Sequence, residues 1–67
     1  MKESITQTLK NSLEASADRH KVNVSLLLTN NVAVAEHPDL LQTIEGELEK
    51  IAQYQDKLEA LREFIGD

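Results

Sequence analysis

The chain has 67 residues, carries a net charge of −5 and contains no cysteine. Its length allows one small domain, and domains of this size usually need disulfides, a metal ion or oligomerisation to supplement a small core. Without cysteine there is no disulfide and no thiolate-bound zinc, and two histidines are too few for a structural metal site. Composition therefore favours oligomerisation and predicts no metal or other cofactor.

The acidic residues are concentrated in the second half of the chain. Residues 1–36 carry four basic and four acidic residues, whereas residues 37–67 carry three basic and eight acidic ones. An acidic helix repels phosphate backbones, and no apolar run is long enough for a secretory signal or a membrane span. We therefore expect a cytoplasmic protein that binds neither nucleic acid nor membrane.

The first predicted helix covers about residues 2–29. Its apolar positions recur with a mean step close to the helical period of about 3.6 residues. They are Ile5, Leu9, Leu13, Ala17, His20, Val24 and Leu27. His20 is the polar member of this row. Because no acidic residue or cysteine accompanies it there, we interpret it as a partly buried packing residue rather than a ligand or a pH-sensitive switch.

Residues 22–35 allow two interpretations. Apolar residues alternate from Val22 to Leu28, and the pair Asn30-Asn31 then precedes a second short alternation, which is typical of a β-hairpin. An isolated two-stranded hairpin is only marginally stable in water, however, and the helical row continues through Leu27. We therefore favour a helix that ends near Asn30, followed by a connector over residues 30–37.

The second predicted helix begins at Pro38 and extends to about residue 65. Proline is favoured at the first helical position, and the Asp39 carboxylate is stabilised at the positive end of the helix dipole. The tripeptide formed with His37 also occurs in J-domain co-chaperones. The strongly basic helix that precedes it in those proteins is missing here. We therefore interpret Pro38 and Asp39 as the start of a helix.

A heptad row follows this start, with alternating steps of three and four residues. Such spacing is typical of a helix that another helix covers, and we predict that this row forms an oligomer interface. Its members are Leu41, Ile44, Leu48, Ile51, Gln55, Leu58, Arg62 and Ile65. The polar members Gln55 and Arg62 either fix the register of the oligomer or lie where a bundle opens to water. Both interpretations stay open at this point.

The second helix also carries many carboxylates. We assign them to its solvated face, because no aspartate-rich loop of the calcium-binding type accompanies them. They are Glu45, Glu47, Glu49, Asp56, Glu59 and Glu63. The sequence shows no pairing of a nucleophile with a base, so we predict that the protein is not an enzyme.

The segment EHPDLLQTIEGEL at residues 36–48, followed by KIA at 50–52 and DKL at 56–58, resembles small uncharacterised proteins of tailed phages of marine bacteria. This resemblance extends over residues 36–58, about a third of the chain. It implies a virus-encoded accessory or virion protein, located in the host cytoplasm or the virion. It implies no catalytic residues.

These observations predict an all-α antiparallel helical hairpin that assembles into a four-helix bundle or a higher oligomer. The leading functional hypothesis is a small self-associating interaction protein with a structural or adaptor role. Its expected partner is a second copy of itself, with another protein as a further candidate. The alternative is an oligomer that sequesters a small molecule in a pocket at the subunit interface. That pocket would draw its polar groups from His20, Gln55 and Arg62.

Overall fold

The protein is a hairpin of two long α-helices. The computed structural model describes residues 2–29 and 38–66, and measures 51 × 15 × 13 Å. Helix α1 spans Lys2–Thr29 and helix α2 spans Pro38–Ile65, with 28 residues each. The predicted all-α hairpin is therefore confirmed, and residues 22–29 are helical rather than extended. The connector over residues 30–37, including His37, lies outside the described residues.

Local hydrogen bonds accompany the helix ends. In the first turns of α2, the Thr43 hydroxyl donates to the carbonyl oxygen of Asp39 at 2.9 Å. At its other end, Gly66 has a φ of 76°, a left-handed conformation that glycine adopts without a Cβ clash. The Gly66 N–H donates to the carbonyl oxygen of Glu63 at 3.4 Å. Glycine at this position therefore lets the chain leave the helix.

The face of α2 that packs against α1 consists of two columns of residues, each repeating every seven positions. One column is also part of the predicted row, and the second column is not. Ile51 and Leu58, from the shared column, are buried against α1, and Ile44 and Ile65 are half-buried. The second column of the packed face is Leu40, Glu47, Tyr54 and Leu61. The predicted row had Leu41, Leu48, Gln55 and Arg62 there, and all four are exposed. Both rows have steps of three and four residues, so spacing alone does not show which of the two packs against α1.

The packed face of α1 also departs from its predicted row. From Leu13 onward the row is correct, and Ala17 and His20 are buried. Ile5 and Leu9 are instead exposed. Between Ile5 and Ala17 the predicted row advances by four residues at every step, without the alternating step of three. Each such step rotates the side chain by about 40° around the helix, away from α2.

The first prediction concerns the centre of this packed face. Ile51→Asp places an unpaired carboxylate where the side chain is 9% exposed, so it should lower the free energy of unfolding by about 3 kcal/mol or more. In a domain this small, that loss is sufficient to unfold it. The matched control Gln53→Asp adds the same charge at an exposed position of α2 and should change stability by less than about 0.5 kcal/mol. Circular dichroism melts measure both changes. Equal melting temperatures for the two variants would contradict the observed packing.

Candidate functional site: a polar cluster between the helices

A cluster of polar side chains interrupts the apolar packing near the middle of the hairpin. His20 of α1 is 6% exposed, and its Nδ1 is hydrogen-bonded to Oε2 of Glu47 in α2. Nδ2 of Asn23 donates to the other carboxylate oxygen, Oε1, at 3.2 Å. Each oxygen of the half-buried Glu47 carboxylate therefore has a partner on α1.

The helical spacing explains why these residues meet. His20 and Asn23 are three residues apart, so they lie on the same side of α1. Tyr54 follows Glu47 by seven residues and therefore lies in the same column of α2. Its ring is stacked on the His20 imidazole, with 5.8 Å between ring centroids and an interplanar angle of 13°. Lys57 Nζ lies 5.2 Å from the Tyr54 ring centroid, which is within cation–π distance.

The cluster favours the ionised form of its carboxyl group. The hydrogen bond to His20 holds the pKa of Glu47 below its usual range, against the opposing effect of burial. The hydrogen bond from Asn23 and the electrostatic interactions with His20 and Lys50 lower this pKa further. An ionised carboxylate has only acceptor oxygens, so His20 Nδ1 must carry the proton and donate it. The cluster is therefore a charge-assisted contact between α1 and α2.

This geometry is suited to holding the helices in one axial register. A shift of α2 by one heptad would keep the apolar column against α1 but would move Glu47 about 10.5 Å from its two donors. A half-buried carboxylate without donors is costly, so the observed register is favoured. Within residues 2–29 and 38–66, no group of three or more potential metal ligands lies together. In the same part of the chain, neither helix is long and apolar enough to cross a membrane.

The predicted interface residues divide into two sets in the hairpin. Those of the shared column, Ile44, Ile51, Leu58 and Ile65, lie against α1 of the same chain. Gln55 and Arg62 are exposed, and they line an open groove together with Glu14, Asp18 and Lys21. Within one chain Gln55 therefore faces water. Its role in an oligomer, like that of Leu41 and Leu48, stays a prediction.

The interpretation of His20 as a buried packing residue is confirmed, but its premise was wrong, because the other helix contributes an acidic neighbour. The assignment of Glu47 to the solvated face was also wrong, since Glu47 belongs to the packed face. A signal for this was present in the sequence. Positions 40, 47, 54 and 61 repeat every seven residues, and Glu47 is the one charged residue among them.

The polar groups expected to form a ligand pocket do not converge. His20 is paired with Glu47 and stacked on Tyr54, whereas Gln55 and Arg62 line a groove to which His20 does not contribute. Within one hairpin these three residues therefore share no pocket, and a pocket at a subunit interface stays a prediction.

The fold and its polar cluster define an all-α helical hairpin with a charge-assisted contact between its helices. No protein-family model, curated protein or solved structure matches this chain. The resemblance of residues 36–58 to small phage proteins thus stays a prediction.

The second prediction follows from the lowered pKa of Glu47. The unfolded chain binds a proton at this residue near the ordinary glutamate pKa of about 4.3, whereas the folded chain binds it at lower pH. The contact therefore stabilises the fold fully above about pH 4.3, and this stabilisation is lost as pH falls through the folded pKa. Glu47→Gln should remove that part of the pH dependence from melting curves recorded between about pH 6 and about pH 3.

The control for this prediction is Glu49→Gln, which neutralises an exposed carboxylate on the same helix. It should leave the acid-induced loss of stability close to that of the wild type. An unchanged pH profile in Glu47→Gln would show that the contact with His20 does not stabilise the fold.

Proposed function

We propose that the protein is a non-enzymatic helical hairpin that self-associates and serves a structural or adaptor role. The observation that carries this proposal is the distribution of apolar side chains. Among the described residues, the buried hydrophobic ones are Ala17, Ile51 and Leu58. The exposed large hydrophobic ones are Ile5, Leu9, Val22, Leu26, Leu28, Leu41, Leu48 and Phe64. Eight exposed large hydrophobic side chains on a chain of this size support a surface that a second chain covers.

The exposed area supports the same proposal. The chain exposes 5286 Å², whereas a compact monomer of 7.5 kDa would expose about 4,250 Å². The difference, about 1,000 Å², is similar to the area of about 800 Å² that each partner buries in a stable protein–protein interface. Two helices form a single layer, whereas domains are usually built from at least two packed layers, which supports a second hairpin over one side of the first.

The energy available from a second copy is large relative to the stability of the fold. Full burial of one large aliphatic side chain contributes about 1.5–3 kcal/mol, and a core of this size supplies about 3–5 kcal/mol in total. Covering even a few of the exposed leucine and isoleucine side chains would therefore change stability substantially. This is why we favour obligate self-association over a monomer that binds partners transiently.

The charged surface favours an assembly that presents its acidic side to water. The exposed carboxylates of α2 are Asp39, Glu45, Glu49, Asp56, Glu59 and Glu63. A surface of like charges keeps an assembly soluble and opposes further stacking. The small size, the acidity and the resemblance to small phage proteins support an accessory role in the cytoplasm of a host cell.

The third prediction tests self-association directly. Sedimentation equilibrium at micromolar concentration should give a mass of at least twice 7.5 kDa, together with a helical circular dichroism spectrum. A fully helical species with the mass of a single chain at that concentration would contradict the proposal. The experiment needs no variant, so a failure to fold cannot be confused with a failure to associate.

A further inference from the structure

One flank of α1, beside its packed face, carries an almost uncharged stripe along most of the helix. We define this outer stripe as Ile5, Thr8, Leu9, Ser12, Ala15, Ser16, Arg19, Val22 and Leu26, of which Ser16 is half-buried and the others are exposed. In a chain with 28% charged residues, Arg19 is the one charged member of this set. Four of its members are large hydrophobic residues exposed by 44% to 63%. A helix face that meets water normally carries charged and polar residues, so this one is suited to a partner.

We propose that self-association occurs through this outer stripe, with α1 of one copy packed antiparallel against α1 of a second copy. The inference rests on the proposed function and names the surface that it uses. A two-fold axis brings the same patch of both copies together. The outward carboxylates of α2, such as Glu49 and Asp56, would repel each other in such a contact, whereas two outer stripes would not.

The order of residues along the outer stripe fits an antiparallel arrangement. Large apolar residues stand at both ends, with Ile5 and Leu9 at one end and Val22 and Leu26 at the other. The small residues Ala15 and Ser16 lie midway between the two ends. When a second α1 runs in the opposite direction with the axis near Ser16, Ile5 of each copy lies opposite Leu26 of the other. The apolar ends therefore meet each other, and the small residues let the helix axes approach closely.

The shape of the stripe is also self-complementary. Ile5, Thr8, Leu9 and Ser12, with Ser4, line an open concavity on α1. Positions separated by three, four and seven residues form the hole that receives a side chain of a facing helix in knobs-into-holes packing. In the antiparallel arrangement, Val22 and Leu26 of the second copy stand over this hole. The two-fold axis creates the same contact a second time.

The one charged residue of the stripe does not oppose this packing. In the antiparallel register Arg19 lies opposite Ser12 of the second copy, so the two Arg19 side chains are separated by about 10 Å along the axis. This separation exceeds the Debye length of about 8 Å at physiological ionic strength, and the repulsion between them is largely screened.

The length of the outer stripe is suited to a dimer contact. From Ile5 to Leu26 the stripe extends over about 31 Å of helix, which is most of the length of α1. The hairpin exposes about 1,000 Å² more than a compact monomer of its mass, and a contact along the outer stripe would cover part of that surface in each copy.

The fourth prediction uses disulfide cross-linking between two single-cysteine variants. Because the native chain has no cysteine, every disulfide reports an introduced residue. We expect that Ile5→Cys and Leu26→Cys, each alone, give little disulfide-linked dimer under mild oxidation. Mixing the two variants should give a clear linked dimer. Like positions lie about 31 Å apart in the antiparallel pair, whereas a disulfide requires Cβ atoms about 3.5–4.5 Å apart.

The matched control is a mixture of Ile5→Cys with Leu41→Cys. Leu41 is exposed to a similar degree as Leu26, at 53% against 62%, but lies on α2. This mixture should cross-link no more than either variant alone. Strong linking of Ile5→Cys to itself would indicate a parallel pair and overturn the proposal. An oligomer with no linking between Ile5→Cys and Leu26→Cys would place the interface elsewhere and overturn it too, while leaving the proposed function intact.

A charge placed near the axis provides a second, independent readout. Ala15→Glu brings two like charges together at the centre of the proposed interface and should raise the dissociation constant at least about tenfold. Ala60→Glu adds the same charge at an exposed position of α2 and should leave the dissociation constant unchanged. Sedimentation measures both, with circular dichroism confirming that each variant is helical. Equal dissociation constants for the two variants would overturn the proposal, and a folded wild-type monomer would overturn both the proposal and the function on which it rests.

Discussion

Two helices meet along a single line, and this constraint governs the structure. Each helix of the hairpin buries one narrow row of side chains, so few residues become fully buried and Ala17, Ile51 and Leu58 form most of the core. In the described part of the chain, the large hydrophobic residues outside these rows lie exposed at the side or the back of a helix. The described residues form these two helices and no third element that covers those side chains. The exposed apolar surface is thus a direct consequence of the topology.

The contact between His20 and Glu47 gives this simple packing a defined alignment. A row of isoleucine and leucine residues repeating every seven positions packs nearly as well after a shift of one heptad. An ionised carboxylate with two specific donors does not tolerate that shift, because its hydrogen bonds are lost and its charge remains half-buried. The cluster therefore fixes how the outward faces of α1 and α2 are placed relative to each other.

Spacing and helix-start chemistry were sufficient to predict both helices, since Pro38 begins α2 and the apolar positions repeat with the helical period. They could not decide which side of α2 faces α1. The columns that contain Leu41 and Leu40 lie side by side on the helix, and both complete a heptad row with Ile44 and Ile51. The choice depends on the contacts of His20 with Glu47 and Tyr54, which involve residues far apart in the sequence. The identity of a partner depends on surfaces of a second molecule, which one sequence does not contain.

If a second copy completes the fold, as we propose, thermal unfolding depends on protein concentration. When folding and association are coupled, the melting temperature rises with concentration by mass action. A hundredfold increase corresponds to about 2.7 kcal/mol per dimer and should raise the melting temperature by about 10 °C. A melting temperature that stays constant over that range, with a helical spectrum at the lowest concentration, would show that the hairpin is stable as a single chain and would contradict this account.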